Sequence, residues 1–161
     1  MLYLLRLVRH FICSNSRHGT HSPFVYRIAQ DVVYNEDTRS DRVGVDVDFS
    51  LRETPRYFPL LEDILSFLDV SVLHNGESLK GAYWTNLQAE NLEQLVHRIE
   101  EGQILVIHEP YRHYEKWKEL ILNQAITVSI DFFYFSIVLK RETQRKEDFK
   151  LRYPYWRKVA I

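Results

Sequence analysis

QILVIH, residues 103–108, is an unbroken apolar run set between Gly102 and the pair Glu109-Pro110. A short run without alternation suits a strand covered on both faces, as in the middle of a parallel sheet. The stretch before it, residues 88–101, puts Leu92, Leu95, Val96 and Ile99 on one helical face, and Gly102 sits where a helix ends. After it, Tyr114, Trp117, Leu120 and Ile121 recur at helical spacing. Two β-branched and aromatic runs follow, AITVSIDFF (125–133) and YFSIVLKR (134–141), close enough in sequence to pair as an antiparallel hairpin.

Working back from 103, AYWT (82–85) and Val70–His74 read as short strands, the second closed by the turn Asn75-Gly76. Phe58, Leu61, Ile64, Leu65 and Leu68 supply the stripe of a helix that starts between Pro55 and Pro59. VGVDVDF, residues 43–49, alternates as a strand does and carries Asp46 and Asp48. Strand, helix, strand, helix, strand and a terminal hairpin spell an α/β fold of three layers, its sheet mostly parallel with an antiparallel edge.

The first 34 residues are expected to be helical. Ser22 is a good N-cap and Pro23 suits the first helical position, with Phe24, Val25, Ile28, Ala29 and Val32 forming an apolar face that reaches about Tyr34. Ahead of it, Met1, Leu4, Leu5, Val8, Phe11 and Ile12 share one helical face and Arg6, Arg9 and His10 the other. Such a helix docks its apolar side on its own domain or a partner subunit, or lies on a membrane surface.

At 161 residues the chain suits one domain, a helical segment over 1–34 followed by a core over 43–161. Twenty-one basic and 22 acidic residues are interspersed, a balance that offers no field to hold a polyanion, so nucleic acid is not an expected partner. No apolar run is long enough to span a membrane. The single cysteine, Cys13, excludes an internal disulfide and points to the cytoplasm. His10, Cys13, His18 and His21 are chemically suited to zinc, but H-x2-C-x4-H-x2-H follows no zinc-ligand spacing, and no metal site is assigned. His108, Glu109 and His113 fall at the carboxyl end of a central strand, where open α/β sheets bind ligands, and a His beside a Glu there suits a general base. Glu109-Pro110 equally serves as a plain strand stop.

Three stretches, HGTHSPFVY (18–26), EEGQILVIHEPYRHYEKWKELI (100–121) and ITVSIDFFYFSIVLKRETQRKEDFKLRY (126–153), resemble in residues and order the class I S-adenosylmethionine-dependent methyltransferases. The likeness is to a bacterial branch with an HSPF-type helix before the Rossmann-like core. It implies a partial Rossmann-like sheet and S-adenosylmethionine as the cofactor. Asp48 would stand where an acid meets the ribose hydroxyls, and Glu77, after Gly76, beside the adenine. The family's glycine-rich cofactor turn is missing, and with it, on this alignment, the first strand and helix. The resemblance therefore implies a degenerate member without stand-alone methyl transfer, acting as an interaction or assembly module. Its open sheet edge would be covered by the N-terminal helix, a second copy or another protein. An active O-methyltransferase holding the cofactor through Asp48 and Glu77, with His108 or Glu109 as base, is the alternative. A third reading takes the basic and aromatic tail after Lys140 as an RNA-binding segment. Without the resemblance, Asp46 and Asp48 are solvent-facing residues of an edge strand, and Asn75–Ser78 is a turn.

Overall fold

The computed structural model describes residues 2–15, 21–35, 44–50 and 53–155. Helix α1 (Leu2–Cys13) comes first, then α2 (Pro23–Ile28), which widens into a π-turn over Ala29–Val33. The core alternates β1 (Asp46–Asp48), α3 (Phe58–Phe67), β2 (Val72–His74), β3 (Ala82–Thr85), α4 (Leu92–Glu100) and β4 (Ile104–His108). A 3-10 turn (Pro110–His113) leads into α5 (Tyr114–Leu122), followed by β5 (Val128–Asp131), β6 (Phe135–Leu139) and β7 (Glu147–Lys150).

The seven strands among the described residues form one sheet in the order β1-β2-β3-β4-β6-β5-β7. The first four are mutually parallel, β6 runs antiparallel to β4 and β5, and β7 is parallel to β5. The fold is thus α/β and Rossmann-like, mostly parallel with a C-terminal antiparallel hairpin. In QILVIH, Leu105, Val106 and Ile107 are all fully buried and serve two cores at once. Val106 points to one face, packed with α2, the π-turn and α3; Leu105 and Ile107 point to the other, packed with α4 and α5.

This arrangement departs from a doubly wound sheet, whose strand order reverses at its centre. Here β1 to β4 follow one another across the sheet without reversal, while α3 and α4 lie on opposite faces. The two steps β1→β2 and β3→β4 run the same way with helices on opposite sides, so they have opposite hands, an exception to the near-uniform right-handedness of such units. Between them, β2 reaches its parallel neighbour β3 through residues 75–81 alone, where a dozen or more residues are usual. Arg98 of α4 pins that short link by donating to the carbonyls of Gly76 and Ser78, and Gln103 donates to Ser78 as well. Gly81, at φ +81°, abuts the backbone of Val72.

Three expectations change. No gap is left for an absent strand, because Leu73 of β2 pairs directly with Ala82 of β3. Helix α1 does not cover the β1 edge; its Tyr3, Arg6 and His10 meet Phe133, Tyr111 and Asp131 at the hairpin end. Nor does α1 dock its apolar side on its own domain, so of the expected occupants a partner subunit or a membrane surface is left. His10 is its buried residue, and Leu4, Leu5, Val8, Phe11 and Ile12 face solvent. The body at that place offers carbonyls, a carboxylate and aromatic rings, which match Arg6, His10 and Tyr3 better than leucines.

One strand was not foreseen. KEDFK holds a single apolar residue, Phe149, and gains its strand character from pairing with β5. Asn15 bonds to Lys150 and Arg152 on the outer side of β7 and fastens the carboxyl end of that edge.

Candidate functional site

At the carboxyl ends of β1, β3 and β4 lies a cleft of about 800 Å³, within the size range of small-molecule sites. Strand alternation and register bring Trp84 of β3 and His108 of β4 to the same face, where their rings stack with centroids 5.2 Å apart. Phe49, just past β1, lies 5.2 Å from Trp84 and extends this wall. The facing wall is Tyr134, from the β5–β6 turn, with Tyr153 and Tyr155 beyond β7; Tyr134 and Tyr153 meet edge to face at 5.2 Å. Between the walls, Glu53, Arg56, Asn75 and Asn86 add polar groups.

A chain of polar contacts crosses the floor. Tyr57, at the start of α3, is held by stacking on Phe135 at 4.7 Å, and its hydroxyl lies 2.6 Å from His108 Nδ1. His108 Nε2 is 3.4 Å from Glu109 Oε2. With Glu109 ionised, the tautomer that suits both neighbours carries its hydrogen on Nε2, so Tyr57 donates and Nδ1 accepts. Glu109 also accepts from Tyr111 Oη at 2.5 Å and from Arg112.

Electrostatics agree with that assignment. Burial lowers the pKa of His108 and, with Arg112, outweighs the opposing pull of Glu109, so the ring is neutral at pH 7. Burial works to raise the Glu109 carboxyl, but the hydrogen bonds from Tyr111 and Arg112 and the charges of His108 and Arg112 hold it below its usual range. Burial pushes the Tyr57 phenol up; the neighbouring Trp84 indole opposes this without making a hydrogen bond of ordinary geometry. The floor thus presents a protonated phenol, a neutral imidazole and a carboxylate in line.

Backbone strain marks the same end of the sheet. Glu109 sits at φ 44°, Leu87 at 64° and Phe133 at 73°, all in the left-handed region that bulky residues avoid. Asp69, at 58°, lies before β2 at the opposite end of the sheet; Glu109 lines the cleft, and Leu87 and Phe133 are next in sequence to its lining residues Asn86 and Tyr134. Glu109 is held there by its N–H donating to the Tyr134 carbonyl at 2.9 Å, and the Leu87 turn by Lys116, which donates to the carbonyls of Leu87, Gln88 and Glu90. Such conformations cost about 1–3 kcal/mol each and gather at functional sites.

Of the residues singled out from sequence, His108 and Glu109 line the cleft and touch each other. Asp48 and Glu77 are exposed, and neither lines it. Asp48 pairs in register with His74 and points away from the face that Val47 buries. His10 is committed to Asp131, Cys13 is exposed, and His18 lies outside the described residues. Among the described residues no three His, Cys, Asp or Glu side chains converge as metal ligands. In the tail, Phe149 is core while Tyr153 and Tyr155 are cleft wall. Sequence reasoning missed Tyr57 and the two aromatic walls, because Tyr57 meets His108 across 51 residues of chain.

No family model, curated protein or solved structure matches the chain. The site therefore rests on its own geometry.

That geometry does not fit S-adenosylmethionine held through Asp48 and Glu77. Gly76 is the described glycine at the carboxyl ends of the parallel strands, and a Cβ added there would meet nothing within 4 Å, so no backbone cradle closes around it. Its carbonyl is turned to Arg98. Among the described residues no helix is long and apolar enough to cross a membrane.

Proposed function

We propose that this chain is a methyltransferase-like α/β protein that keeps a ring-binding cleft and a proton acceptor without the cofactor loop, and that its ligand is a hydroxylated aromatic ring. The observation that carries the reading is the 2.6 Å contact between Tyr57 Oη and His108 Nδ1 on the floor of an aromatic cleft. A flat ring entering between Trp84 and the Tyr134–Tyr153 wall gains stacking on both sides. A phenolic O–H directed at Tyr57 Oη finds an oxygen that already donates its own hydrogen to His108. The ligand's proton then moves to Tyr57 Oη as the Tyr57 proton moves to His108 Nδ1. The result is an imidazolium between the phenol and the Glu109 carboxylate, and a ligand phenolate, with no change in total charge. Aligned nucleophile, base and orienting carboxylate are the logic of activated-hydroxyl sites. The exposed free Cys13 suits a cytoplasmic location.

The test uses 4-nitrophenol and its methyl ether, 4-nitroanisole, with quenching of tryptophan fluorescence and the visible phenolate band as readouts. Saturable binding of nitrophenol at pH 6, with a growing phenolate band that His108→Gln abolishes, is the expected result. Equal binding of the ether, or no binding of either at millimolar concentration, overturns it.

A further inference from the structure

We infer that the outward face of α1 is a two-fold contact with a second copy of this chain. The helix has 12 residues, none acidic; one side fastens it to the body, and at the margin of the other the Arg152 guanidinium lies 4.3 Å from the centre of the Phe11 ring. Tyr3 rests on Tyr111 and Phe133, Arg6 donates to the Tyr111 carbonyl, and His10 reaches Asp131. At 3.6 residues per turn the opposite side is an arc of about 120° made of Leu4, Leu5, Val8, Phe11 and Ile12, with no charge inside it. These side chains are open to solvent, Leu4 at 61%, Val8 at 48% and Ile12 at 72%. Contiguous apolar surface of this kind is rare on a surface that meets only water.

A second copy is the occupant that fits best. Leu4, Val8 and Ile12 follow one another at intervals of four, the ridge that packs helix against helix. Laid antiparallel across a two-fold axis through Val8, the ridge is complementary to itself: Leu4 meets Ile12 of the second copy, and Val8 meets its own equivalent. The stripe, on the order of 600 Å² a side, approaches the roughly 800 Å² per partner of a stable interface. A groove of about 410 Å³ beside it mixes Leu2, Leu5, Trp117 and Ile121 with the charged Arg9, Glu115 and Lys118. A membrane surface fits less well, because interfacial helices carry basic residues free to meet headgroups. Arg6 is turned inward onto Tyr111 and the Tyr114 ring, Lys118 is paired with Glu115 at 2.8 Å, and Arg9 and Lys150 line the groove beside the stripe rather than the stripe itself.

Sedimentation of the full chain across concentration, alongside Val8→Glu, tests this. Val8 is exposed in a single copy, so the charge leaves that fold intact, which circular dichroism and melting verify. The expected result is a reversible dimer in the parent and a monomer in Val8→Glu. In a Cys13→Ser background, Val8→Cys joins two copies by a disulfide between its own equivalents, whereas Leu122→Cys does not. A parent that stays monomeric at several hundred micromolar, or a dimer that Val8→Glu leaves intact, overturns the inference. A monomeric parent that floats with phosphatidylglycerol vesicles, and loses this with Val8→Glu, overturns it in favour of a membrane surface.

Discussion

A Cβ placed on Gly81 would lie 2.4 Å from the carbonyl oxygen of Val72. The contact arises because β2 must return to its parallel neighbour through so few residues that the chain folds tightly against β2 before entering β3. Gly81→Ala combines a clash with backbone and a positive φ, and is expected to cost about 3 kcal/mol or more. Gly76→Ala, in the same link with open space around it, should change stability by less than about 0.5 kcal/mol. Urea unfolding of the two variants side by side measures the difference, and equal losses would remove the account of this crossover.

Tyr57→Phe separates ring packing from proton handling. The ring still stacks on Phe135, while His108 Nδ1 loses its donor, so stability should fall by about 1 kcal/mol. Nitrophenol should still quench tryptophan fluorescence but no longer show its phenolate band. If the band persists in Tyr57→Phe, the ligand meets His108 directly.

Acid should destabilise the fold in two stages. The unfolded chain protonates His108 near 6.5, whereas the folded chain holds this ring lower. Between those values the unfolded state binds one more proton, so stability rises with pH there; the contribution is complete above 6.5 and is lost as pH falls through the folded value. Glu109, lowered from 4.5, adds a second loss of the same sign at more acid pH. Melting temperature followed from pH 7.5 downward should drop first just below 6.5. His108→Gln should flatten this first step and leave the second.

Ser22→Ala should cost about 1 kcal/mol through loss of the N-cap. The hydroxyl accepts from the Val25 N–H at 3.4 Å and from Gln144 Nε2 at 2.8 Å, so it ties α2 to the segment ahead of β7. A double-mutant cycle with Gln144→Ala, read by thermal unfolding, isolates that tie; strict additivity would mean that Ser22 acts on its helix alone.

What was legible in the sequence was periodicity over local windows. QILVIH, the helix ending at Gly102 and the paired runs after Ala125 announce themselves because burial on one or two faces leaves a regular trace. The orientation of α1 was not legible, because its apolar stripe says which side avoids water and nothing about what the body offers. KEDFK gave no strand signal, since its partner strand and Asn15 supply the reason for it. His108 and Glu109 stood out as titratable residues after a buried strand. Tyr57, Trp84 and Tyr134 come from separate elements and become a site only through the sheet order.

Asp46 and Asp48 take on another meaning from their place. β1 is three residues long, ends the sheet order, and exposes both carboxylates beside half-buried Val47. A short, negatively charged border strand discourages another chain from adding to it. At the far border, Asn15 already occupies the hydrogen-bonding side of β7. One border is defended by charge and the other is fastened at its end, so the sheet is guarded on both sides against growing strand by strand into a fibre.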